Sequence, residues 1–116
     1  MELENTQSQM RKGILEYCIL QIISNGPCYS SDILESLKNA KIIVVEGTLY
    51  PLLTRLKNAE ILQYKWEESK SGPPRKYFEL TDKGTTFLLS LQKTWNDLSF
   101  AVNTISQINP NTQTHE

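Results

Sequence analysis

A short helical pattern in the middle of the chain carries side chains suited to binding a polyanion. From Glu46 to Leu56, leucines recur at helical spacing and leave small, hydroxylated and basic residues on the other faces. Hydroxyl and guanidinium groups donate hydrogen bonds to phosphate oxygens and base edges, and an apolar ring can contact a thymine methyl group. The contacts predicted from this helix are Thr48, Tyr50, Pro51, Thr54 and Arg55, the last with the nucleic-acid backbone rather than a guanine.

A basic hairpin follows this helix. Leu62, Tyr64 and Trp66 alternate with polar residues in the period-two pattern of a half-buried strand, and Phe78 and Leu80 repeat the pattern on the return strand. The predicted tip spans residues 69–74, where two prolines stiffen the chain and remove N–H donors. The residues expected to contact a backbone or minor groove are Lys70, Ser71, Arg75 and Lys76.

A helix followed directly by a basic hairpin is the order of elements in a winged helix-turn-helix. That layout places one helix in the DNA major groove and the hairpin, or wing, on the adjoining backbone. The predicted fold class is α+β, mainly α with a small β-hairpin: a winged helix-turn-helix extended by a long C-terminal helix.

The distribution of charge favours a polyanionic partner, although the net charge is −1. Residues 38–76 contain eight basic and four acidic residues, a balance of +4, whereas the rest contains four basic and nine acidic residues, a balance of −5. One cationic end and one anionic end orient a molecule on double-stranded DNA. A solvated surface crossed by salt bridges is the alternative explanation.

Two helices precede the central one. The first spans about Asn5–Ser24 and has one apolar stripe for the core; the second spans roughly Ser30–Asn39, with Asp32 and Glu35 as a capping pair. Residues 40–45 fit either a brief strand or an extended turn. The first helix also has a second apolar stripe, which needs another surface: Met10, Gly13, Ile14 and Tyr17.

The last helix begins at Thr81 as the predicted cap, with Asp82 in its first turn, where the helix dipole favours a carboxylate. Apolar residues at spacings of three and four then form a coiled-coil seam. The seam consists of Leu88, Leu91, Trp95, Leu98, Val102 and Ile105.

This seam predicts a homodimer. A winged helix closes its core near Leu80, and leaving six large side chains in water would forgo roughly 9–18 kcal/mol. Burial against a second copy is therefore favoured, with Met10, Ile14 and Tyr17 of the first helix on the other wall. A two-fold dimer matches a palindromic operator whose half-sites are about 34–36 Å apart. Folding of the helix back onto its own domain is the alternative.

Composition limits the remaining possibilities. The predicted organisation is a winged helix-turn-helix in residues 1–80, a dimerisation helix in residues 81–108 and a disordered tail in residues 109–116. No apolar run approaches the roughly 20 residues of a membrane span, and the N-terminus is polar and acidic, which predicts a cytoplasmic protein without a membrane partner.

Nothing in the sequence supports catalysis. The single histidine, His115, lies in the polar tail, and the two cysteines have no histidine nearby to complete a zinc site. There is no glycine-rich phosphate loop, and no carboxylate set accompanies a nucleophile. The chain is predicted to be neither an enzyme nor a cofactor or metal protein.

Over about Gly13 to Trp95, the chain resembles the PadR family of bacterial transcriptional regulators, in particular its short members with one C-terminal helix. The motifs that carry the resemblance are Glu46–Leu53 with Arg55 and Leu56, and Gly72 with Arg75–Phe78 and Leu80–Thr81 through Gly84. The resemblance implies a dimeric winged-helix repressor that leaves its operator when a small molecule binds. A winged-helix module that docks proteins without binding DNA is the alternative function.

Some short members of that family hold planar aromatic compounds between paired tryptophans at the dimer interface. The matching position here is Trp95, and the implied effector site also includes Met10, Gly13 and Tyr17. The chain departs from the family pattern at Tyr17, which fills space that other members leave open. It departs again at Ala59–Glu60, where a glycine usually precedes the wing. An interface anchor that binds no ligand is the alternative role for Trp95.

Overall fold

The computed structural model describes residues 2–69 and 71–108 as a helical protein with one small sheet. The elements in chain order are α1 (Glu2–Ser24), β1 (Cys28–Tyr29), α2 (Ser30–Asn39), α3 (Glu46–Asn58), β2 (Leu62–Ser69), β3 (Gly72–Leu80) and α4 (Asp82–Ile108). The prediction of a mainly α fold with a small antiparallel sheet is confirmed. Lys70, predicted for the wing, and the tail predicted to be disordered lie outside the described residues.

One hydrophobic core joins the first three helices to the base of the sheet. On α3, Leu49, Leu53 and Leu56 are buried, as the leucine spacing predicts, and Leu52 lies at the edge of the core. The other elements contribute Leu15, Ile19, Leu20, Ile23, Ile33, Leu37, Ile61, Leu62 and Phe78. Because one face of α3 is fixed in this core, its opposite face points to solvent.

The sheet has three strands rather than the predicted two. β1 pairs antiparallel with β3, which gives the strand order β1-β3-β2. Cys28 lies opposite Phe78, and Tyr29 lies opposite Tyr77. A strand of two residues is too short to show a period-two pattern, so the sequence could not reveal it. This strand ties the start of α2 to the wing.

The wing differs from the prediction at its tip and along β2. Pro73 and Pro74 belong to β3 rather than to the turn, and they lie across from the register shift that follows Glu67. Residues without an N–H are tolerated there because the ladder is interrupted. Trp66, predicted to be half-buried, is 63% exposed. β2 continues past the core at this point, and the indole packs edge-on against the ring of Tyr64.

The helix boundaries before α3 differ in detail from the prediction. α1 begins at Glu2, earlier than expected. Tyr29 is the N-cap of α2, and its N–H donates to the Asp32 carboxylate at 3.0 Å. The predicted pairing of Asp32 with Glu35 is wrong because Asp32 occupies the position that bonds back to the cap. Residues 40–45 form a turn and an irregular connection with no strand, the second of the two predicted alternatives.

Thr81 and Gly84 fix the start of α4 to the connection that follows α3. The Thr81 hydroxyl accepts a hydrogen bond from the Gly84 N–H at 2.9 Å and donates to the Glu60 carbonyl oxygen at 2.6 Å. Thr81 is therefore the N-cap that the sequence predicts. Gly84 is buried directly against the carbonyl group of Ile61. This contact sets the direction in which α4 leaves the core.

The first turns of α4 pack on the core of their own protomer, although the core was expected to close near Leu80. Leu88 and Leu91, predicted for the dimer interface, are partly buried where α4 lies against α1 and β3. Farther along, the seam and the opposite face of the helix are both exposed. The large apolar residues exposed there are Trp95, Leu98, Phe100, Val102, Ile105 and Ile108.

Candidate nucleic-acid interface

The exposed face of α3 is bordered by different elements on its two sides. Pro51 and Thr54 lie near the middle of this face, away from the buried leucines. Tyr50 lies on the side of α2 and the wing, whereas Thr48 and Arg55 lie on the side of α1. All five side chains predicted from the sequence are exposed, so a ligand that approaches this face can reach each of them.

On the wing side, contacts between distant parts of the chain fix Tyr50 and Arg75. The Tyr50 hydroxyl lies 3.1 Å from Oγ of Ser30. The Arg75 guanidinium lies 3.7 Å from the ring centre of Tyr29 and donates to Oγ of Ser31 at 3.4 Å. A cation–π contact at an exposed site is worth about 0.5–1 kcal/mol. These contacts hold Arg75, in the outer half of the wing, beside α2 and α3.

The second wing cation is also held by an aromatic ring. Nζ of Lys76 lies 4.4 Å from the ring centre of Tyr64. Lys76 and Tyr50 both line a cavity of about 180 Å³ between β3 and α3. Ser71, at the tip of the hairpin, is exposed. Arg75 and Lys76 therefore present positive charge beside α3, where a backbone phosphate of a duplex can be bound.

Tyr29 is itself anchored from the wing. Its hydroxyl donates a hydrogen bond to the Glu67 carboxylate on β2, and this bond raises the pKa of Tyr29 above its ordinary value. Tyr77 on β3 meets the Tyr29 ring edge-on, with the ring centres 6.2 Å apart. The platform beneath Arg75 is thus fixed by both strands of the wing.

On the α1 side, Arg55 has a partner within the protomer. It forms an ion pair with Glu16 of α1, and the Arg55 side chain is still 64% exposed. Exposed ion pairs contribute about 0–1 kcal/mol, so a phosphate can replace the carboxylate at little cost. Thr48, about two turns earlier on α3, lines a cavity of about 390 Å³ that Arg11 and Lys12 of α1 also line.

The residues around α3 that sequence reasoning missed come from elements distant in the chain. On the wing side these are Tyr29, Ser30 and Ser31, and on the α1 side they are Arg11 and Lys12. Ser30 and Ser31 are the first residues of α2, where hydroxyl side chains usually indicate a helix cap, and the two cations of α1 lie outside the basic segment of residues 38–76. Only tertiary structure places them beside α3.

The residues predicted for an effector site lie along the junction of α1 and α4. The rings of Tyr17 and Trp95 have centres 6.5 Å apart and an interplanar angle of 38°. Ile14 is half-buried, Met10 is exposed, and a Cβ at Gly13 would meet no atom within 4 Å. This stripe of α1 and the seam of α4 form a continuous apolar surface that is open in a single protomer.

The cysteine thiols are free and are suited to packing rather than to redox chemistry. Burial, with a smaller contribution from the nearby Asp32 carboxylate, raises the pKa of Cys28 to about 11, and burial also raises the pKa of Cys18. Such thiols stay protonated and react slowly. Among residues 2–69 and 71–108, His, Cys, Asp and Glu form no group of three that could hold a metal ion.

Membrane insertion finds no support in the helices. Across the part of the chain that the structure describes, no helix is both long and apolar enough to cross a bilayer.

A three-helix core, a three-stranded sheet with a basic wing and an exposed α3 define a winged helix-turn-helix protein. Comparison with known proteins agrees. Residues 19–90 match the transcriptional regulator PadR-like family. The chain is similar to a PadR-like transcription factor from Bacteroides fragilis of known structure, with 58% identity and a TM-score of 0.75 over 87% of this chain and 98% of that one.

Two further solved structures show the same relationship. A PadR-like transcriptional regulator from Bacillus cereus is 38% identical, with a TM-score of 0.76 over 85% of this chain and 97% of the other. A PadR family transcriptional regulator from Eggerthella lenta is 29% identical, with a TM-score of 0.80 over 89% and 90% of the two chains. The chain belongs to the PadR-like family and is a DNA-binding transcriptional regulator rather than an enzyme.

Proposed function

We propose that the protein is a homodimeric repressor that binds a palindromic operator and leaves it when a small molecule binds. The observation that carries the proposal is the arrangement of α3. Its exposed polar face lies beside two wing cations, Arg75 and Lys76, that aromatic rings hold in place. Pro51 and Thr54 then face the bases in the major groove, while Thr48, Tyr50 and Arg55 contact the groove edges.

The exposed seam of α4 supports the homodimer. Trp95, Leu98, Val102 and Ile105 recur at helical spacing, and each remains between 42% and 61% exposed in the protomer. Burying such side chains stabilises by roughly 1.5–3 kcal/mol each, less the entropy lost on association. Leu88 and Leu91 sit at the inner end of the seam, where they bridge the core and the proposed interface. The proposed organisation remains a winged helix-turn-helix in residues 1–80 followed by a dimerisation helix in residues 81–108.

Selection from random duplexes tests the operator geometry. The purified protein should enrich inverted repeats whose half-sites are centred about one helical turn, roughly 34–36 Å, apart. Enrichment of single, unrepeated sites would contradict the dimeric mode of binding. Absence of binding to any duplex at low salt would instead favour a winged-helix module that docks proteins.

Removing both wing cations should weaken binding to all duplexes alike. Arg75→Ala plus Lys76→Ala removes two phosphate contacts from each protomer and four from the proposed dimer, so the magnitude of the slope of log K against log salt should fall by about 3.6. The slope is measured by fluorescence anisotropy between about 50 and 200 mM salt. Lys93→Glu, on the exposed part of α4, changes the net charge equally and should leave the slope unchanged. An unchanged slope in the wing variant would remove Arg75 and Lys76 from the interface.

The proposed effector is a planar aromatic compound that stacks against Trp95 and Tyr17 at the dimer interface. Trp66→Phe leaves Trp95 as the only tryptophan, and its fluorescence should be quenched by a bound aromatic compound. Trp95→Phe leaves only Trp66, which lies on the wing and should not respond. The same compound should lower operator affinity in the Trp66→Phe protein. Equal quenching in both variants would place the ligand elsewhere.

A further inference from the structure

α1 presents two different surfaces on opposite sides of the helix. One side contains Tyr17, which meets Trp95 of α4. The other side contains Arg11, Lys12 and Leu15, which line the cavity of about 390 Å³ beside Thr48 of α3. At about 100° per residue, these two groups point in roughly opposite directions. The cationic side of α1 is therefore separate from the stripe that the proposed dimer uses.

The cations on this side are available to bind an anion. Arg11 and Lys12 are both exposed. Neither takes part in any ion pair among residues 2–69 and 71–108. The carboxylate nearest along the helix, Glu16, is already neutralised by Arg55. Arg11, Lys12 and Arg55 therefore place three positive charges on this flank of α3, and Glu16 offsets one of them.

We infer that Arg11 and Lys12 form a second phosphate-binding edge of the DNA interface, on the side of α3 opposite the wing. The inference rests on the proposed insertion of α3 into the major groove. That groove is about 12 Å wide and is bordered by two phosphate backbones. Arg75 and Lys76 lie on one flank of α3, and Arg11, Lys12 and Arg55 lie on the other. The two flanks then contact opposite strands, which centres α3 in the groove.

Salt dependence tests this second edge. In Arg11→Gln plus Lys12→Gln, which removes two contacts from each protomer of the proposed dimer, raising the salt concentration from 50 to 200 mM should weaken duplex binding by about a hundredfold less than in the wild type. Lys93→Glu lowers the net charge equally and should behave as the wild type does. Because both residues are exposed, the melting temperature of the double variant should not change. A salt dependence equal to that of the wild type would overturn the inference.

Strand-specific neutralisation of phosphates distinguishes the two edges. Uncharged methylphosphonate linkages are placed along one backbone border of a selected half-site, then along the other. Neutralising the phosphates of one border should not weaken duplex binding by the Arg11→Gln plus Lys12→Gln protein. Neutralising those of the other border should not weaken binding by the Arg75→Ala plus Lys76→Ala protein. Insensitivity of both variants to the same border would refute opposite placement. Failure of the wild type to bind any duplex would instead refute the proposed function.

Discussion

Gly84→Ala should destabilise the protein by about 3 kcal/mol or more, a large part of the roughly 5–15 kcal/mol that holds a domain of this size together. A Cβ at this position would lie 2.0 Å from the carbonyl oxygen of Ile61 and 3.0 Å from its carbonyl carbon. Both atoms belong to the backbone, so relief requires α4 to move away from the core. Thermal unfolding at fixed protein concentration should show a melting temperature lower by about 10 °C or more.

Gly47→Ala is the matched control for this prediction. Gly47 lies in the first turn of α3, away from the proposed dimer surface, and a Cβ there would meet no atom within 4 Å. Replacing glycine by alanine inside a helix stabilises by roughly 0.5–1 kcal/mol. The same chemical change should therefore have opposite signs at the two positions. Melting of Gly84→Ala within about 2 °C of the wild type would mean that α4 is not docked on Ile61 as described.

The second large effect is expected at the seam of α4. Leu98→Asp places a carboxylate in the middle of the proposed dimer interface, where burying an unpaired charge costs several kcal/mol. The dimer should dissociate into folded monomers, because Leu98 is 54% exposed in the protomer and contributes little to its core. Light scattering should show the mass of a monomer, and binding to a two-half-site operator should fall by at least a hundredfold.

Asn96→Asp provides the control for the seam. It adds the same charge on the opposite side of α4 and should leave both mass and affinity nearly unchanged. A Leu98→Asp monomer that binds the full operator with wild-type affinity would show that dimerisation is not needed for recognition. A variant that remains dimeric would place the interface elsewhere on the surface.

The elements whose apolar spacing extends over many residues were predictable from the sequence. The leucines of α3 fix its buried face, and Thr81 followed by Asp82 marks the start of α4. Periodicity is informative in both places because a whole face of side chains contributes to it. β1 was missed because two residues contain no period. Trp66 was misplaced because alternation along β2 cannot show where the core ends beneath the strand.

The chemistry of the interface was only partly predictable. The basic character of the hairpin predicted Arg75 and Lys76 as DNA contacts, but the Tyr29 ring that holds Arg75 lies more than forty residues earlier. Likewise, the exposed position of Arg55 followed from helical spacing, whereas its ion pair with Glu16 did not. Such contacts depend on how helices and strands pack, and the spacing of residues along one sequence does not show that packing.

The close contact between Gly84 and the carbonyl group of Ile61 determines how a structural change at Trp95 would reach α3. Because the first turn of α4 has no room to shift against the core, each protomer should behave as one stiff unit from its seam to α3. In the proposed dimer, a compound that changes the crossing angle at Trp95 would then swing both α3 helices through the same arc. Release from DNA would follow from an altered separation between them, with no hinge opening inside either subunit.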